Sequence, residues 1–181
     1  MKDLPPIRRV ITENDAKGRS RIIEDAPATS IKTVAERPGY RAVNVWRTEQ
    51  TPAKIDAKDT TREHHGVHPT KNGTILRIID FPPEPKDPKE LDKRLKATFG
   101  SIYNDADHHR DTRRHPGMHV TTSVDYAIVL EGEIWAVMDE GETLLKAGDC
   151  LVQRGTNHAW SNRTGTPCRV AFILVDADAG G

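Results

Sequence analysis

GMHVTTSVDYAIVLEGEIW, residues Gly117 to Trp135, alternates polar and apolar side chains and then turns at Glu131-Gly132. A period of two belongs to a strand with one face toward a core and one toward water. Working outward, the pattern repeats. Tyr126–Leu130 and Glu133–Met138 read as strands, Asp139-Glu140-Gly141 as a turn, Thr143–Lys146 as a short strand, and Ala147-Gly148-Asp149 as a further turn. Cys150–Gln153, His158–Asn162 and Arg169–Asp176 complete the set. Turns at intervals of roughly 8–12 residues mark an all-β sandwich or barrel. Residues 117–181 are therefore expected to form an antiparallel β-barrel core that holds something small.

His119, Thr121, Ser123 and Asp125 share one strand face, which continues as Ala127 and Val129. The apolar continuation points that face inward, so its polar end is a buried cluster. A buried His or Asp without partners is costly; each must be hydrogen-bonded, hydrated or bound to metal. His158, Trp160 and Asn162 share a second face by the same alternation. Where the two strands meet, His119, Asp125 and His158 are expected to converge. Two imidazoles and one carboxylate suit a single divalent Fe, Mn, Ni or Zn ion, and the same side chains are the candidate catalytic groups. Thr121 is placed to hydrogen-bond a bound water. Trp160 either stacks on a planar ligand or packs the core.

These residues resemble the cupin superfamily. Its first motif runs Gly, five residues, His-x-His, three or four residues, Glu, six residues, Gly. Asp125 stands at the Glu position relative to Gly132, His119 at the first His, and Thr121 at the second. The second motif runs from Gly148-Asp149 to His158 and Asn162, with His158 at its metal-binding His. It is one residue short here, and Arg154-Gly155 replaces a Pro-x-Gly turn. The His-Pro-Gly-Met-His start, the Val-Asp-Tyr core and the Gln-Arg-Gly-Thr-Asn-His-Ala-Trp run are similar to a bacterial subgroup of small single-barrel cupins. The resemblance implies an all-β, jelly-roll-like barrel with N-terminal strands added to its sheets and one short helix. It also implies a site that has lost one imidazole and shortened its carboxylate. Two states follow: a three-ligand metal site with open positions for substrate or dioxygen, and a pocket that binds an organic ligand without metal.

Other side chains are weighed beside these. His115, four residues before His119, either replaces the missing ligand or is a solvated loop His. His64-His65 and His108-His109 are expected at the surface, and the polar stretch Asn104–Pro116 is long enough to be a lid. Arg77 alternates with Ile78 on a strand; by default it is a solvated strand Arg, and facing inward it would grip a substrate carboxylate bidentately. Arg154, with Gln153 at the barrel rim, would hold an anionic ligand or a turn carbonyl. Tyr126 has the opposite parity to Asp125 and belongs outside. Trp46 and Trp135 read as core or interface residues.

Upstream, residues 1–83 read as a strand arm packed on the barrel. Arg8–Thr12 and Arg19–Ile23 flank the turn Asp15-Ala16-Lys17-Gly18; Tyr40–Thr48 and Thr74–Phe81 follow, the latter stopped by Pro82-Pro83. Residues 84–116 form an insert. Asp87-Pro88-Lys89-Glu90 starts a helix, Leu91, Leu95 and Phe99 stripe one face, and Gly100 is the expected end. The whole is one structural domain. Lys and Arg balance Asp and Glu at 27 each, so no basic excess points to nucleic acid. No apolar run spans a bilayer, no signal peptide is legible, and Cys150 and Cys168 read as reduced core thiols, so a cytoplasmic protein is expected. Uncovered strand edges on the arm predict a homodimer. The expected function is a metal-dependent enzyme of decarboxylase, dioxygenase or isomerase type acting on a small organic acid or aromatic catabolite. The alternative is a metal-free small-molecule binding or sensor protein.

Overall fold

The computed structural model describes residues 4–107 and 111–178. The N-terminal hairpin forms as expected from β1 (Arg8–Asn14) and β2 (Ser20–Pro27). Its turn is held by the Asp15 carboxylate, which accepts from the backbone N–H groups of Lys17 and Arg19 at 2.8 and 2.9 Å. Next come β3 (Ile31–Thr33), β4 (Arg41–Thr48) and β5 (Thr74–Phe81). The helix α1 (Pro88–Ile102) precedes β6 (Ser123–Glu131), β7 (Glu133–Met138), β8 (Glu142–Lys146), β9 (Cys150–Arg154), β10 (His158–Ser161) and β11 (Cys168–Asp176).

Every paired strand is antiparallel. A six-stranded sheet runs β3-β4-β5-β11-β6-β9 and a three-stranded sheet runs β10-β7-β8. The N-terminal strands thus extend the sheet of the C-terminal half, through β5 on β11. Inward-facing Ile75, Ile79, Phe81, Ala127, Val129, Val170, Phe172 and Leu174 of the large sheet meet Ile134, Ala136 and Trp160 of the small one in a single core. The chain has the all-β, two-sheet architecture of a cupin-type barrel.

The helix closes one side of that core. Asp87 caps it by accepting from Lys89 N–H at 3.0 Å, while Glu90 pairs forward with Arg94. It does not stop at Gly100 as the sequence led us to expect. Ile102 and Tyr103 are buried beside Phe99, and that burial carries the last turn past the glycine. Two further expectations fail on strand parity. Asp125 pairs with Gln153 across β6 and β9, which turns Gln153 inward and leaves Cys150 and Arg154 exposed. Cys150 is therefore a surface thiol; Cys168 is the core one, its pKa pushed up to about 12 by burial.

Candidate functional site

The decisive local feature is a single pair of residues. His119 and His158 form an isolated antiparallel bridge. Each backbone N–H donates to the other's carbonyl, at 2.9 and 3.0 Å. Directly opposed residues project on the same face, and the two imidazole centroids lie 4.4 Å apart. Each ring is oriented from behind: Nδ1 of His119 lies 2.9 Å from the Gly117 carbonyl, and Nδ1 of His158 lies 2.9 Å from that of Thr156. In the neutral tautomer that donates there, the lone pair sits on Nε2. Burial, aided by repulsion from His119, holds the His158 pKa down to about 3, so this imidazole is neutral at physiological pH.

The pair lines a cavity of about 70 Å³, whose walls include Tyr40, Phe81, Phe99, Tyr103, Trp160 and Phe172. Trp160 meets Phe172 and His158 edge-on, with centroids 5.1 and 5.8 Å apart. Thr121 and Asp125 reach the same cavity. The Asp125 carboxylate accepts from Ser123 Oγ at 2.6 Å and, more weakly, from Thr121 Oγ1 at 3.5 Å. Burial raises its pKa against those two bonds. Arg77 also lines the cavity and is buried rather than solvated. Nε donates to Asn44 Oδ1 and Nη2 to the Gly66 carbonyl, both at 2.9 Å, and its guanidinium lies over the Tyr103 ring.

The expected residues thus gather in one place, but the metal triad does not close. Among the described residues, no three His, Cys, Asp or Glu side chains approach closely enough to hold a metal ion. Asp125 sits on β6, tied down by Ser123, while the two histidines face each other across their own bridge. The chemistry of the imidazole pair fits a transition ion; the carboxylate as placed does not join it.

Three other candidates are corrected. Arg154 is exposed on the outer face of β9 and lines no part of the cavity. His115 is neither a ligand nor solvated: Nε2 bonds Glu84 at 3.0 Å and Nδ1 accepts from Gly117 N–H at 3.0 Å. It braces the loop that delivers His119. His64 is buried too, while His65 is exposed as expected. Asn162 bonds the carbonyls of Phe81 and Thr166 and is structural. Tyr126 faces outward as expected. His108 and His109, and with them part of the expected lid, lie outside the described residues. Sequence reasoning missed Arg37, Tyr40 and Tyr103; the turn Arg37-Pro38-Gly39-Tyr40 was the local signal for the first two, and Tyr103 follows α1.

Comparison with known proteins places this geometry. Residues 111–175 match the family model described as cupin domain. This part of the chain is a cupin domain. This cupin is 28% identical over 183 residues to the cupin-domain-containing oxidoreductase fogC of Aspergillus ruber, covering 97% of the chain and 75% of the relative. It is 27% identical to the cupin-domain-containing oxidoreductase virC of Hypocrea virens, covering 95% and 78%. A 62-residue stretch is 53% identical to phomopsin biosynthesis cluster protein D of Diaporthe leptostromiformis and spans 33% of each chain. Among solved structures, a Cupin 2 conserved barrel domain protein from Salinispora arenicola aligns with a TM-score of 0.43 at 12% identity, covering 80% of this chain and 82% of the other. No helix among the described residues is long and apolar enough to cross a membrane.

Proposed function

We propose that this cupin acts on a small organic acid or small aromatic molecule held in the cavity, with chemistry of the oxidoreductase kind that its relatives' names carry. The observation behind this reading is the His119–His158 pair, ring against ring at the wall of an aromatic cavity. Of the reaction types left open by the sequence, the dioxygenase type is the oxidoreduction, and it is carried forward. His119 and His158 would hold one divalent ion of Fe, Mn, Ni or Zn through Nε2, and that ion would supply Lewis-acid and dioxygen chemistry. The chain's own residues do the rest. Neutral His158, its Nδ1 fixed on the Thr156 carbonyl, keeps its Nε2 lone pair free for that ion. Asp125, its carboxyl raised by burial, exchanges a proton with a ligand oxygen. Trp160, Phe172 and Phe99 exclude water, and Arg77 sets a positive field at the Tyr103 side. With this reading go a cytoplasmic location, reduced free cysteines and a homodimer.

A second reading, a metal-free binding or sensor protein, is favoured by one observation: Asp125 is engaged by Ser123 instead of turned to the histidines. Metal content by plasma mass spectrometry, on protein purified without chelator, separates the two. The enzyme reading expects near-stoichiometric transition metal in the wild type and its loss in His158→Ala. No metal after reconstitution with each ion moves the protein to the second reading. Unchanged metal content in His158→Ala sinks the ligand assignment.

A further inference from the structure

Arg37 is the least explained charge in the molecule. Its side chain is buried, at 6% exposure. It makes no side-chain hydrogen bond or ion pair among the described residues; its guanidinium lies 4.4 Å from the Tyr40 ring centroid and 6.0 Å from that of Phe81. The other buried arginines among the described residues are all engaged: Arg9 by Glu24 and Asp59, Arg169 by Asp80, and Arg77 by Asn44 and Gly66. A guanidinium carries five N–H donors; those of Arg37 have no protein acceptor, and they keep a little solvent contact, since the fully buried unpaired side-chain atoms among the described residues are His64 Nε2 and Asn157 Oδ1. Desolvation pushes its pKa down, and Glu84 attracts it only from a distance. Glu84 is itself committed to His115 and to Ser161, at 3.0 and 2.7 Å.

The position of Arg37 is equally specific. Arg37 and Tyr40 line both the inner cavity and an outer groove of about 540 Å³ bounded by Val34, Pro38, Arg41 and Pro82. The carboxylate in that groove, Asp80, is taken by Arg41 and Arg169. Arg37 therefore stands in the wall between groove and cavity with its donors uncommitted. The inner cavity, at about 70 Å³, has the volume of about two liquid water molecules, which limits what it can enclose to a few heavy atoms.

Resting on the reading of this cavity as a small-molecule site, we propose that Arg37 is its anion receptor and that the ligand is a short carboxylic acid. The carboxylate meets the guanidinium fork, a planar bidentate match, and the apolar body lies among Phe81, Phe99, Trp160 and Phe172. The acid arrives through the outer groove, which Arg37 lines on its way to the cavity. Cation–π contact with Tyr40 holds the guanidinium ready for it.

The test uses crotonate and its neutral isostere crotonamide, titrated into the full chain while the Trp160 indole N–H signal is followed by NMR. Crotonate should bind at least tenfold tighter than crotonamide. Arg37→Met should abolish that preference and leave crotonamide affinity unchanged; Arg37→Lys, which keeps the charge but not the fork, should retain only part of it. Equal affinity for the two probes in the wild type overturns the proposal, as does a preference that survives Arg37→Met, while the cavity reading stands. If neither probe moves the Trp160 signal, the cavity reading fails and the receptor falls with it. The wild-type comparison and Arg37→Lys decide the matter if Arg37→Met does not fold.

Discussion

His64 illustrates what a single buried imidazole does to this chain. Its Nδ1 lies 3.4 Å from an Arg47 nitrogen, and its Nε2 has no partner. Burial, then the charges of Arg77, Arg47 and Lys32, hold its pKa down to about 4. In the unfolded chain it titrates near 6.5. Between those values the unfolded state binds more protons, so the stability tied to neutral His64 is whole above pH 6.5 and is lost as pH falls toward 4. Asp105 works in a lower window. Burial opposes its ionisation, but the His68 side chain and the N–H groups of Val67 and His68 outweigh that and hold it at about 2. Its contribution is present above the ordinary carboxylate range and lost as pH falls through about 2. Denaturant melts across pH should therefore separate the two. His64→Gln should flatten the stability slope between pH 6.5 and 4 by up to one proton, and Asp105→Asn only the slope below about 4. A His64→Gln slope equal to wild type would place that acid sensitivity in other groups.

At the scale of elements, the turn between β6 and β7 is fixed by backbone shape. Gly132 has φ +76°, and a Cβ there would lie 2.8 Å from the Pro167 carbonyl oxygen. Gly132→Ala should cost about 1–3 kcal/mol from the left-handed conformation, with the backbone clash in addition. Phe99→Ala, which empties the face of α1 that touches His119 at 5.1 Å, should cost about 3–5 kcal/mol. Both are read as shifts of the urea midpoint, and a shift below 1 kcal/mol in either would show that the element is not locked as described. These same elements mark what the sequence discloses. From Ser123 onward strict alternation and closely spaced turns make the strands legible, because one face is apolar and the other wet. β3 is too short to show a period. The parity of β9, and hence the exposure of Arg154 and Cys150, is set by its register against Asp125, a long-range choice that no local pattern contains. Arg37 escaped notice because its burial depends on Tyr40 and Phe81 meeting across strands. The His pair was legible as residues, whereas the bond from Ser123 that commits Asp125 was not.

At the scale of the whole molecule, the outer face of the six-stranded sheet is the feature a monomer explains least. The register aligns Val152, Tyr126, Ile173, Leu76 and Trp46 in one row across β9, β6, β11, β5 and β4. Cys150, Ile128, Ala171, Ile78 and Val43 form the next row. Neither row holds a charged side chain; Val152 and Tyr126 are 55% and 46% exposed, while Ala171 and Val43 in the second row are already buried. Contiguous apolar patches of this kind are uncommon on monomers. A patch without charge is complementary to another of the same composition, and the simplest source is a second copy related by a two-fold axis, where one face meets itself. A central charge then appears on both sides of the axis and is buried twice. Val152→Glu should therefore convert a dimer to a monomer at micromolar concentration in light scattering, while leaving crotonate binding intact, since Val152 faces away from the cavity. Wild-type protein that scatters as a monomer at that concentration would leave the sheet face without this partner.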